Sequence, residues 1–182
     1  CLVEETVSAK PRKVSPNEKL NVACIGVSGM GSYSVSNVAG ENVVALCDVD
    51  ENLLNEAAKG FPKAALYFDY RRMLERKDID AVTISTPDHS HAPTTMWALE
   101  SGRHVYCEKP LTHTAEEARK VTELARRKKL ATQMGIQIHA NSNYRRVVEM
   151  VQSGAIGPIA EVHQWVDRVW SGPGKRPVET PP

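Results

Sequence analysis

The sequence has no long hydrophobic run. No apolar stretch exceeds five residues, Val43-Val44-Ala45-Leu46-Cys47 being one, whereas a membrane-spanning helix needs ~20. It has no excess of either charge: 23 Lys and Arg stand against 22 Asp and Glu, a formal +1. No basic field for nucleic acid or an anionic membrane follows from that balance. It also has no paired cysteines. Cys1, Cys24, Cys47 and Cys107 stand at neither metal nor redox spacing, and the last three lie in apolar runs, where a free Cys serves as a small hydrophobe. A disulfide scaffold is excluded, and the chain shows no dependence on an oxidising compartment. What it does have is 182 residues, 41% hydrophobic and 25% charged, enough for one domain or one domain and part of another.

Residues 1–19 keep no period, carry two prolines and alternate charges, and so read as an arm or linker. Two origins stand open. An export signal removed upstream would leave this spacer and a Cys1 open to lipid modification. A simple fragment boundary would leave the same sequence in the cytoplasm. No charged n-region or apolar h-region decides between cytoplasm and periplasm.

From Leu20 short apolar runs alternate with helical patterns. Residues 20–25 (LNVACI), 42–47 (NVVALC), 64–68, 81–85 (AVTIS), 104–107 (HVYC) and 131–134 read as six strands. Helices are expected over 51–59, 70–76, 91–100 and 115–129. Pro93 is tolerated because it falls in a first turn. Thr114 and Glu117 form a capping box, and Asp50 suits an N-cap. The cluster Arg126-Arg127-Lys128-Lys129 fits a solvated last turn at the negative end of the helix dipole better than an anion patch. Strands alternating with helices predict an α/β fold, a doubly wound parallel sheet of Rossmann type over residues 20–140, with ligands at the carboxyl ends of its strands.

After Gly135 the pattern changes. Residues 143–153 read as a helix stopped by Gly154, and residues 159–169 (IAEVHQWVDRV) as a strand with period-two alternation. In the tail SGPGKRPVETPP, six of twelve residues are Gly or Pro, which excludes helix and central strand. A lone strand needs a sheet around it. Residues 141–182 are therefore expected to open a second α+β domain that is truncated here, Cys1 and Pro182 being two cut edges.

The end of the first strand reads Gly26-Val27-Ser28-Gly29-Met30-Gly31, close to the dinucleotide fingerprint Gly-x-Gly-x-x-Gly. Gly26 suits the tight turn and Gly31 close helix–strand packing. Ser28 stands where a second Gly lets backbone approach a pyrophosphate, and Ser28→Gly is expected to tighten binding if Ser28 crowds that site. The second strand ends at Asp48, 22 residues after Gly26, where a carboxylate accepts from ribose hydroxyls and repels a 2′-phosphate. That favours NAD over NADP. The fourth strand ends in Ser85-Thr86-Pro87-Asp88-His89-Ser90-His91 and the fifth in Glu108-Lys109-Pro110. Asp88, His89 and His91 lack the further ligands a metal site needs, and no metal is expected.

With Gly26 to Gly31, Ala45-Leu46-Cys47-Asp48, Thr86-Pro87 with His91, and Glu108-Lys109-Pro110, the chain resembles the Gfo/Idh/MocA family, the glucose–fructose oxidoreductase and inositol dehydrogenase type. Gln133-Met134-Gly135-x-Gln137 and Gly154-Ala155-Ile156-Gly157 are similar to one branch of it. The resemblance covers about residues 19–170. It implies NAD(P) held by Gly26, Ser28, Gly29, Met30, Gly31, Asp48, Ser85, Thr86, Pro87, His91, Glu108 and Lys109. It implies hydride transfer to or from a sugar-like or cyclitol hydroxyl, with Lys109 the catalytic residue beside nicotinamide and substrate, and Gln137 a further substrate contact. It also implies a second-domain sheet supplying an Asp and a His for proton transfer, and assembly into a homo-oligomer through that sheet. Ser28 replaces the usual Gly, Ile136 stands where Asn is frequent, and the second-domain Asp/His motif is not found.

Two other functions fit the same residues. Relatives within the family use bound NAD for transient oxidation during glycoside cleavage or elimination, without net turnover of the cofactor. A non-catalytic nucleotide-binding protein is the third reading. The chain alone is expected to bind a dinucleotide and not to turn over substrate.

Overall fold

The computed structural model describes residues 15, 17–136, 139, 141–163 and 165. These fall into two compact units, the first ending at Gln137 and the second beginning at Ile138.

The first unit is a six-stranded sheet. Its strands are β1 (Asn21–Ile25), β2 (Asn42–Cys47), β3 (Ala65–Tyr67), β4 (Ala81–Ile84), β5 (His104–Glu108) and β6 (Thr132–Gly135). The spatial order is β3-β2-β1-β4-β5-β6, and every pair is parallel. The strands form where the sequence is apolar at consecutive positions because both faces of a parallel sheet are covered by helices. β1 shows this directly. Val22 and Cys24 point to one face and join Val35 of α1 (Met30–Asn37) and Leu54 of α2 (Glu51–Ala58). Ala23 and Ile25 point to the other face and join Ala98 and Leu99 of α4 (His91–Glu100) and Val121 and Leu124 of α5 (Ala115–Lys128). α3 (Tyr70–Met73) adds Met73 to this second layer. Emptying one such position, Leu54→Ala for example, costs about 2–5 kcal/mol.

The helix ends follow local chemistry. The Asp50 carboxylate accepts from the N–H of Asn52 and Leu53 at the start of α2. Thr114 and Glu117 complete a reciprocal capping box on α5. Thr114→Ala would forfeit about 1 kcal/mol. In the basic last turn of α5, Arg127 and Lys128 reach Glu100 at 2.9 and 2.8 Å and tie α5 to α4.

The described part of the second unit contains α6 (Ser142–Gln152), capped by Asn141. Val147, Met150 and Val151 are exposed on it. The strand expected over 159–169 is not formed where it can be followed: residues 159–163 and Trp165 have no ladder partner and are not strand. Alternation of side chains is not sufficient, because a strand's N–H and C=O groups need a neighbour to bond. The rest of that segment, the tail to Pro182 and the arm over residues 1–14 lie outside the described residues, as does Gln137.

Candidate functional site

Parallel strands bring their carboxyl ends to one rim. Gly26, Asp48, Ser85 and Glu108 all stand there, each at or just beyond a strand end. The chain leaves β3 at one edge and returns as β4 on the far side of β1, so the strand order reverses between β1 and β4. Such a reversal opens a crevice above the sheet. The Gly26 N–H donates to the Cys47 carbonyl, and the Ser85 N–H donates to the Ile25 carbonyl, both at 2.8 Å, which continues the ladder into the loops.

The loop after β1 is built on two close approaches. Gly26 has φ +81°, and a Cβ there would stand 2.4 Å from the Ser85 carbonyl oxygen. A Cβ on Gly31 would stand 2.2 Å from the Gly26 carbonyl oxygen. The start of α1 is therefore pressed onto the turn. Its N-cap is Gly29, with no side-chain cap and no acidic residue in the first turn, unlike α2 and α5. A helix start carries N–H groups without intrahelical partners and a partial positive charge, which together suit a phosphate. Ser28 is half-buried in this loop, and Gly29 and Met30 are exposed.

Asp48 is oriented by the backbone. One carboxylate oxygen accepts from the Val27 N–H at 3.0 Å and the other from the Asp50 N–H at 3.1 Å. Two bonds leave part of a carboxylate's capacity of about four lone-pair sites for a diol. These features fit a dinucleotide: an uncapped helix start pressed onto a glycine turn, and a fixed acceptor one strand away.

On the other side of the switch, Glu108 is 4% exposed. Ser34 of α1 donates to it at 3.3 Å, Ser85 donates to Ser34 at 3.1 Å, and the Tyr106 hydroxyl lies 3.5 Å from the same carboxylate oxygen. Burial and the neighbouring Glu108 charge push the Tyr106 phenol above its ordinary range. Gly135 leaves room for this group, since a Cβ there would stand 2.6 Å from the Tyr106 hydroxyl and 2.7 Å from Glu108 Oε2. Lys109 is exposed beyond Glu108, and its peptide bond to Pro110 is cis.

His91 takes a different place from a loop donor. It is 1% exposed, with Nδ1 2.6 Å from the Pro110 carbonyl oxygen and Nε2 2.7 Å from that of Thr86. Ser90 holds the same loop by donating to Thr86 Oγ1 or the Pro87 carbonyl. Thr86 is half-buried and Pro87 exposed. Among the described residues, no group of three or more His, Cys, Asp and Glu could hold a metal ion. None of their helices is long and apolar enough to cross a membrane.

The fold and this rim define a dinucleotide-binding domain of the Rossmann type. The profile of an oxidoreductase family described by its NAD-binding Rossmann fold, Gfo/Idh/MocA, matches residues 20–136, and the chain belongs to that family. Among curated relatives, a glycosyl hydrolase family 109 protein of Shewanella pealeana is 35% identical over 158 residues, covering 78% of this chain and 34% of that protein. An alpha-N-acetylgalactosaminidase of Shewanella oneidensis is 34% identical over 160 residues, with the same coverages of 78% and 34%. Among solved structures, myo-inositol 2-dehydrogenase of Lactobacillus plantarum superposes with a TM-score of 0.74 at 28% identity, over 78% of this chain and 43% of that one. A scyllo-inositol dehydrogenase of Lactobacillus casei with bound NAD(H) and scyllo-inositol gives 0.72 at 26% identity, over 77% and 43%. The chain spans about a third of the length of the curated relatives it matches.

Two members of the rim are not evident from sequence. Ser34 sits in a run of serines, and Tyr106 reads as an interior strand residue. Only the fold joins Ser34 to Glu108, whereas Tyr106 stands two positions before it on the same strand face.

Proposed function

We propose that the protein is an NAD-dependent oxidoreductase that moves hydride between nicotinamide and the hydroxyl-bearing carbon of a sugar-like or cyclitol substrate. The observation that carries this reading is Glu108-Lys109-Pro110 at the end of β5, two strands from β1 and on the same rim as the glycine loop. Gly26, Gly31 and the backbone of Ser28, Gly29 and Met30 would take the pyrophosphate. Asp48 would accept from the adenosine ribose, and its charge disfavours the extra phosphate of NADP. Ser85, Thr86 and Pro87 would line the far side of the crevice, and Glu108 and Lys109 the nicotinamide end.

When bound, the cofactor supplies the hydride acceptor or donor. The chain's own part is positional and electrostatic. Lys109 presents an ammonium where an alkoxide develops, and an oriented cation there lowers the barrier. Gln137 would add a polar contact to the substrate. The test is calorimetric titration with NAD and NADP, followed by nicotinamide absorbance with cyclitols and sugars in the intact protein. Lys109→Ala should lower turnover by at least about 100-fold, as loss of one transition-state donor does. NAD binding with no turnover of any of these substrates would favour a non-catalytic binding protein.

A second reading has its own support in the 34% identity to an alpha-N-acetylgalactosaminidase. There the same rim would hold NAD for a transient oxidation. Sugar release without net change in nicotinamide absorbance would select it over the dehydrogenase.

A further inference from the structure

His91 is the first residue of α4, and its ring lies between two loops that leave different strands. One is the Thr86 loop after β4, the other the Lys109–Pro110 turn after β5. Each ring nitrogen stands within hydrogen-bond distance of a backbone carbonyl from one of them. No other chemistry is left to the ring, which is buried from solvent. Lys109 is thus flanked by two fixed points. On one side Glu108 is held by Ser34 and lies against Tyr106. On the other, the Pro110 carbonyl faces His91.

We propose that His91 is a positioning residue for Lys109. It ties the turn that carries the lysine to the loop that borders the nucleotide crevice, so that the distance between cation and crevice is set by one side chain. The proposal rests on the hydride-transfer reading for its catalytic consequence, but the tie itself does not. A neutral imidazole carries one N–H and donates to one of the two carbonyls; a ring protonated at both nitrogens donates to both. Both partners are carbonyl acceptors, so the ring bonds the two loops at once only with a proton on each nitrogen; with one proton it bonds one loop and packs against the other, still held in place by α4 and its buried surroundings.

The experiment uses His91→Ala and His91→Gln, the latter keeping an N–H donor on a flexible stem. The first readout is amide hydrogen exchange, which needs no activity. In His91→Ala, exchange in both the 85–90 and 108–112 segments should rise at least about tenfold, while β1 and β2 stay protected as in the wild type. A rise confined to one segment, no rise, or a uniform rise that includes β1 would overturn the tie. The second readout is turnover in the intact protein. His91→Ala should lower kcat roughly 10- to 100-fold, the scale of a 1 Å misplacement, with KM little changed, and His91→Gln should recover part of it. A folded His91→Ala with wild-type kcat would overturn the positioning role. If the intact protein shows no nicotinamide turnover while both segments still loosen together in His91→Ala, the hydride reading fails and the tie stands.

Discussion

Gly31→Ala adds one methyl group at the tightest approach in the rim. The new Cβ would lie 2.2 Å from the Gly26 carbonyl oxygen and 2.6 Å from its carbon. Both are backbone atoms, so no side chain can turn aside. Restoring an ordinary contact of 3.4 Å or more takes roughly 1 Å or more of movement by the start of α1 or by the turn. Overpacking of that kind costs about 1–3 kcal/mol, and the upper end applies where backbone meets backbone. The better helix propensity of Ala returns about 0.5–1 kcal/mol. The net expectation is about 2 kcal/mol. With a urea m-value of about 2 kcal/mol/M, the unfolding midpoint should fall by roughly 1 M. Gly40→Ala is the control, since nothing lies within 4 Å of its added Cβ and its shift should stay below about 0.25 M. The same 1 Å moves the N–H groups at the start of α1, so NAD affinity should drop about tenfold or more in Gly31→Ala and not in Gly40→Ala. Equal midpoints and equal affinities for the two variants would refute the packing argument and the phosphate cradle together.

Three further outcomes follow from the same geometry. Ser34→Ala removes the hydroxyl between Ser85 and the buried Glu108 carboxylate and should cost about 1–3 kcal/mol in urea unfolding; a change below about 0.3 kcal/mol would mean that Glu108 does not rely on it. Asp48→Asn keeps the shape and drops the charge, so the ratio of NADP to NAD dissociation constants should fall at least about tenfold; an unmoved ratio would show that Asp48 does not discriminate. Burial pushes the thiols of Cys24, Cys47 and Cys107 up to about 11, 12 and 11, from an ordinary 9.0. A thiol reagent near neutral pH should leave these three unmodified in the native protein and reach all of them in denaturant. The sign for stability is also set. Between about 9 and 11–12 the unfolded thiols ionise and the folded ones do not, so stability falls as pH rises through that window. The fall should be shallower in Cys107→Ala.

Much of the sheet can be read from the residues because its strands are buried on both faces. LNVACI, NVVALC and AVTIS are near-continuous apolar runs for that reason, and β1 splits its side chains between two cores. The caps at Asp50 and Thr114 are equally legible, since they depend on neighbours two or three residues away. α1 is hidden. Its sequence MGSYSVSN has little amphipathic contrast and no capping side chain, and only the glycine turn before it betrays a helix. Glu108 is visible as a motif residue, whereas its partner Ser34 is 74 positions away and has no signal of its own. His91 reads as the first residue of a helix beside a polar loop, with no sign that its ring is buried. Its burial between two carbonyls arises from α4 packing under both loops, which no local pattern encodes. The segment 159–163 shows the opposite error, an alternation with no partner strand among the described residues to use it.

The pairing of β1 with β4 has a consequence for how the molecule comes together. Val22 meets Ala81, and Ile25 meets Ile84, across the whole β2–β3 excursion. This is the longest loop closed by any strand pair of the sheet, so it carries the largest closure entropy. A dinucleotide seated over the seam would touch Gly26 on one half and Ser85 on the other. It would therefore act as a latch on that joint, stabilising only chains in which the halves have already met. Refolding in its presence should leave fewer half-assembled molecules open to proteases, with the benefit growing as the logarithm of its concentration.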